Sequence, residues 1–195
     1  MSNSELSAQD EALAKDFAAL AEDLEGASRR ARQSAASVFA RQAKDDPESV
    51  LPYGSSFVDA LHRPEAQTRW ECLDALTQLV PLDSRLCDKA IIGAESALFD
   101  EDSGTVRLAA MRFLCALGAT TQKRSEKVWP YIDEAIQCYH GDFEFQDMLN
   151  AVMDFSTGKI SAQVKEQLLA RMAFDAENGK GALGRKAQAI IANLQ

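Results

Sequence analysis

One segment of this sequence returns at a nearly constant interval, and that interval limits the possible folds more tightly than composition does. Residues 102–118 place the N-cap residues Asp102 and Ser103 ahead of Val106 and Arg107. Ala110, Phe113, Leu114 and Leu117 follow at helical spacing, and Gly118 is expected to stop the run. Aligned on Arg107, the pattern recurs at Arg32, Arg69, Gln146 and Gly184, with successive spacings of 37, 38, 39 and 38 residues. Three residues after each stand Ala35, Cys72, Ala110, Leu149 and Ala187, and seven after stand Phe39, Leu76, Leu114, Met153 and Ile191. Each copy thus carries one apolar helical face. A lone helix pair cannot bury such a face, so stacked neighbours must complete the core.

A second series precedes the first. Pro52-Tyr53 and Pro130-Tyr131 are 78 residues apart, as are His62 and His140, while Gly54 and Gly93 are 39 apart. A Pro in the first helix of a pair, with Arg preceded by Val in the second, resembles the HEAT repeat family, and the period also suits armadillo-type variants. The resemblance is clearest over residues 64–140 and weakens where Gln146 and Gly184 replace the Arg. It implies an all-α fold: an α-α superhelix (solenoid) of five HEAT-like antiparallel helix pairs. The chain is expected to form a single repeat domain over 1–195, with approximate repeats 5–46, 47–82, 83–121, 122–159 and 160–195.

The periodicity predicts helices over residues 5–25, 28–45, 51–62, 68–80, 86–99, 102–118, 127–140, 145–155, 164–174 and 184–194. None of these segments has the alternation of a half-buried strand. The first is amphipathic, with Leu6, Leu13, Phe17, Leu20 and Leu24 on one stripe. Its outer face is acidic (Glu5, Asp10, Glu11, Asp16, Glu22, Asp23 and Glu25), read as the solvated cap of an array. An apolar fraction of 46% is ample for a core. The formal charge of -9 opposes a general affinity for phosphate backbones. The polar, acidic start does not read as a signal peptide, and no apolar run approaches a membrane span of about 18 residues. Cys72, Cys87, Cys115 and Cys138 lack CxxC spacing and sit in predicted helices as small buried groups, so a cytoplasmic location is expected.

Reactive constellations are scarce. Gly179-Lys180-Gly181-Ala182-Leu183-Gly184 matches GxGxxG, but dinucleotide binding needs a preceding strand and an acidic residue about 20 positions on. Here a helix precedes the run, which reads as a turn. His62 and His140 would lie about 20 Å apart if each helix layer adds about 8–10 Å, too far to share one metal ion. Cys138 and His140 point to different sides of a helix and do not form a nucleophile pair. Arg32, Arg69 and Arg107 read as rungs pairing with an acid or a carbonyl in a neighbouring turn. The competing reading, a basic track like that of HEAT-like DNA glycosylases, conflicts with the acidity of the chain.

Those readings leave a non-catalytic protein-protein interaction scaffold, with no cofactor, no metal and no catalytic residue expected. The outward positions of the second helices, concave in the family, supply the candidate partner-binding residues Trp70, Asp74, Leu108, Arg112, Asp147 and Phe155. Apolar Trp70 and Leu108 among charges have the composition of an interaction hot spot. The expected partner is a protein or peptide, and a self-associating structural subunit is the remaining alternative.

Overall fold

The computed structural model describes residues 16–195. The part of the predicted first helix that carries Glu5, Leu6, Asp10, Glu11 and Leu13 lies outside them. The chain divides into two compact units, Met1–Cys87 and Asp88–Gln195. Among the described residues every regular element is helical.

In the first unit, α1 covers residues 16–25, α2 Arg29–Asp45, α3 Pro47–Val50, α4 Gly54–Ala60, α5 Ala66–Leu79 and α6 Ser84–Cys87. Ser28 caps α2 by accepting the Ala31 N–H at 3.3 Å, and Pro47 opens α3, where its missing N–H costs nothing. The core is aromatic at one end. Phe39 lies 5.7 Å from Phe17, 5.6 Å from Tyr53 and 4.9 Å from Phe57, ring centre to ring centre. Leu73, Leu76 and Leu79 of α5 are fully buried beside it. Phe39 and Leu76 are among the apolar positions that the repeat alignment places inward.

The second unit opens with a 3-10 turn, Asp88–Ala90. It continues through α7 Ile91–Leu98, α8 Gly104–Gly118, α9 Gln122–Cys138, α10 Phe145–Ser156, α11 Ala162–Asn178 and α12 Ala182–Leu194. Here α8 is central, packing on α7, α9 and α10. Its buried positions include Ala110, Phe113, Leu114 and Leu117. Ser103, Thr121 and Ser161 each accept the N–H three residues on, capping α8, α9 and α11.

Of three expectations, one is met for a different reason and two need correction. α8 ends at Gly118 as expected, but no left-handed glycine stops it: Gly118 is the last helical residue and the C-cap Ala119 is right-handed. A Cβ on Gly118 would lie 2.5 Å from Val128 Cγ2 and 2.8 Å from Phe155 Cε2, so the glycine lets α9 and α10 approach closely. The helix predicted over 86–99 is interrupted by the 3-10 turn. The helix predicted over 127–140 starts at Gln122, which leaves Pro130 in its interior.

Candidate partner-binding face

Arginine placement decides which side chains are left for a partner. In α2, Arg32 donates from Nη1 to the Gly26 carbonyl at 2.8 Å and from Nε to Glu65 Oε2 at 3.3 Å, and Nη2 pairs with the other Glu65 oxygen. In α8, Arg107 donates from Nη1 to the Asp100 carbonyl at 2.8 Å and from Nε to Glu144 Oε1 at 2.6 Å, and its guanidinium lies 4.9 Å from the centre of the Tyr139 ring. The device is the same in both units. An Arg in the first turn of a second helix holds the loop carbonyl ahead of it and the Glu at the N-cap of a following helix, α5 or α10. Arg32 also holds the Glu65 carboxyl below the usual carboxylate range through their hydrogen bonds. These two guanidiniums are therefore occupied by the fold.

A second series of ion pairs lies outside the arginine alignment. Arg124 donates from Nε and Nη2 to the two Asp88 oxygens, both at 2.8 Å. Arg171 reaches Asp133 at 2.6 and 3.0 Å. Separations of 36 and 38 residues, close to the repeat length, were the available signal.

The candidate residues fall out unequally. Trp70 and Asp74 are half-buried, one turn apart on α5 in the first unit. In the second unit, half-buried Leu108 and exposed Arg112 are one turn apart on α8, and Asp147 is exposed on the adjacent α10. Asn150 and Asp154 are also exposed on α10 and extend the stripe from Asp147 at helical spacing. Arg112 has no ion-pair partner among the described residues. Phe155 is not on this face: it is 1% exposed and stacks on Trp129 at 6.4 Å with planes 5° apart. It sits one residue past Asp154, and a step of about 100° along a helix turns it inward.

Among the described residues, nucleophiles and metal ligands are not gathered. Burial pushes the Cys72 and Cys115 thiols far up, away from the reactive thiolate. Cys138 is exposed, contrary to expectation, because it lies on the outer side of the last turn of α9. His140 Nε2 is 3.2 Å from both Asp175 oxygens. Among the described residues, no three His, Cys, Asp or Glu side chains are grouped to hold a metal ion. The GxGxxG run joins α11 to α12. Gly181 has φ 63°, and a Cβ on Gly184 would meet the Gly179 carbonyl oxygen at 2.3 Å, so the glycines close a tight turn between helices. Among the described residues, no helix is long and apolar enough to cross a membrane.

No protein-family model and no characterised protein sequence matches the chain. Solved structures do. A designed armadillo repeat protein in complex with the peptide (KR)4 superposes with a TM-score of 0.73 at 15% identity, over 90% of this chain and 80% of that one. A computationally designed armadillo repeat protein for modular peptide recognition gives 0.71 at 14% identity, over 100% and 95%. An armadillo-repeats-only protein from Plasmodium falciparum gives 0.66 at 12% identity, over 100% and 99%. These likenesses show the fold, an all-α α-α superhelix of the armadillo/HEAT type.

Proposed function

We propose that this protein is a non-catalytic interaction scaffold that holds a protein or peptide segment against exposed positions of its second helices, on α8 and α10 of the second unit and on α5 of the first. The observation that carries the reading is the contrast within α8. Arg107 is fastened to Glu144 and Asp100, whereas Arg112 stands exposed one turn beyond Leu108. Asp147, Asn150 and Asp154 on α10 supply the opposite charge and amide groups beside it. Trp70 and Asp74 form the matching pair on α5. A face of this kind is preorganised: its side chains ride on packed helices, so binding orders little of the scaffold. The two designed armadillo proteins named above, one bound to a peptide and one made for peptide recognition, support a peptide as the kind of partner. A phosphate-binding track is disfavoured, since Arg32 and Arg107 are already paired and the net charge is -9.

Affinity capture from the native cell, comparing wild type with the double variant Trp70→Ala, Arg112→Glu, tests this. Loss of specific partners from a variant with unchanged helical circular dichroism supports the reading. Undiminished recovery of the same partners sinks it.

A further inference from the structure

Within the second unit, the first helices α9 and α11 run side by side and leave a cleft of about 640 Å³ between them. Its lining is mixed: buried Trp129 and Val164 and exposed Pro130 and Ala170 supply the apolar part, with Gln163 and Gln167 among them. A smaller hollow of about 300 Å³ continues it towards Phe174 and Asp175, with Arg171 common to both. Phe174 is 72% exposed there, an aromatic side chain with most of its surface in water. Both helices are 17 residues long, so the furrow has about 25 Å of helix on each side, enough for three to four turns of a partner helix.

The charges say what would fill it. Glu126, Asp133 and Asp175 line the two hollows against Arg171, whose guanidinium is already taken by Asp133. Exposed Glu134, Glu166 and Glu177 follow Pro130, Gln163 and Phe174 at helical spacing and edge the furrow with further negative charge. Lys123 and Lys127 stand at the start of α9 and, with Arg124, help hold the Asp88 carboxyl below the usual range, the Arg124 hydrogen bonds being the largest cause; Asp133, Glu134, Asp175 and Glu177 lie further along the two helices, towards Phe174. Apolar groups at Trp129, Pro130, Ala170 and Phe174, set between acidic edges, match the two faces of one kind of ligand.

We propose that the α9/α11 furrow is a second docking site, distinct from the face on α8 and α10, for a basic amphipathic helix of another protein. Its apolar side chains lie on Trp129, Pro130, Ala170 and Phe174, and its lysines or arginines meet Glu126, Glu134 and Glu177. The helix-in-groove mode places anchors one turn apart along the furrow.

The probe is a fluorescein-labelled amphipathic peptide of Lys, Leu and Phe, about four helical turns long. It is titrated into the full chain carrying Trp70→Phe, so that Trp129 alone reports tryptophan emission. The expected result is saturable binding that shifts Trp129 emission and weakens at least about tenfold when salt is raised or Leu is replaced by Ser in the peptide. Ala170→Arg, on an exposed helical position, should weaken binding by about the same factor, while Arg112→Glu leaves it unchanged. Binding that Ala170→Arg leaves intact overturns the proposal, as does equal binding of a Glu, Leu and Phe peptide or no binding at all. Sedimentation showing a dimer that Ala170→Arg dissociates would assign the furrow to a second copy of the chain and likewise overturn it.

Discussion

Arg32 and Arg107 show how much one residue type can settle in a helical repeat. Each guanidinium spans from the turn before its own helix to the N-cap of a later one, over 33 and 37 residues. Glu144 is nearly buried in that pair, so Glu144→Ala strands a guanidinium and should cost roughly 3 kcal/mol in urea unfolding. Glu65 gives a pH test. Its ordinary value is 4.5, and Arg32 lowers it in the folded chain, so the unfolded chain binds protons more readily. That stabilisation is complete above pH 4.5 and is lost as pH falls through the lower folded value, so Glu65→Gln should flatten the acid limb of stability against pH. The alignment made the arginines visible but not their partners, because Glu65 and Glu144 stand at different offsets from Arg69 and Gln146. Gly118 ends α8 where the apolar run ends, but the sequence does not show why a glycine stands there; only the packing shows Val128 and Phe155 against it. Gly118→Ala should therefore lower stability by about 1–3 kcal/mol, outweighing the roughly 1 kcal/mol that alanine gains as a helix former. A melting temperature that stays level or rises would disprove the packing role.

Helix starts show where apolar periodicity falls silent. The first turn of α9 reads Gln122-Lys123-Arg124, all polar, so a pattern search begins at Val128 although the cap is Thr121. α11 likewise starts before Val164 because Ser161 caps it. Ser161 is tied further: its N–H donates to Ser125 Oγ at 3.0 Å, and that hydroxyl donates to the Gln122 carbonyl, joining the starts of two first helices. Thr121→Ala should cost about 1 kcal/mol, while Ser125→Ala also strands the Ser161 N–H and should cost more, about 1–3 kcal/mol. Hydrogen exchange at residues 122–125 and 161–164 would locate both losses. The break at Asp88–Ala90 was hidden for a different reason. Ile91, Ala94, Ala97 and Leu98 continue an apolar rhythm, while Asp88 is held by Arg124 from a distant part of the sequence.

At the scale of the molecule, the fold was legible because it is written repeatedly: each period restates the same buried face, and agreement among copies outweighs errors in any one. The binding surface is written once and had no such support. Helical phase placed Arg112 and Asp147 outward, but the single step from Asp154 to Phe155 carried the last candidate into the core. The second unit has its own interior around Phe113, Leu114, Leu149 and Phe155. A fragment of residues 88–195 should keep its helical circular dichroism and unfold cooperatively in urea, as nearest-neighbour packing in repeats allows. A non-cooperative fragment would show that its interior is incomplete alone. The arginine clamp also bears on how such a chain can lengthen or shorten by inheritance. A duplicated period leaves a clamped junction only if it carries both an Arg at the aligned position and a Glu at the N-cap ahead of it, as residues 47–82 do with Glu65 and Arg69; residues 83–121 carry Arg107 but have Ser103 at the N-cap. Where Gln146 stands in place of the Arg, the lead-in to the last helix, Lys180-Gly181-Ala182-Leu183, has no acid either, so both halves of the clamp are absent there.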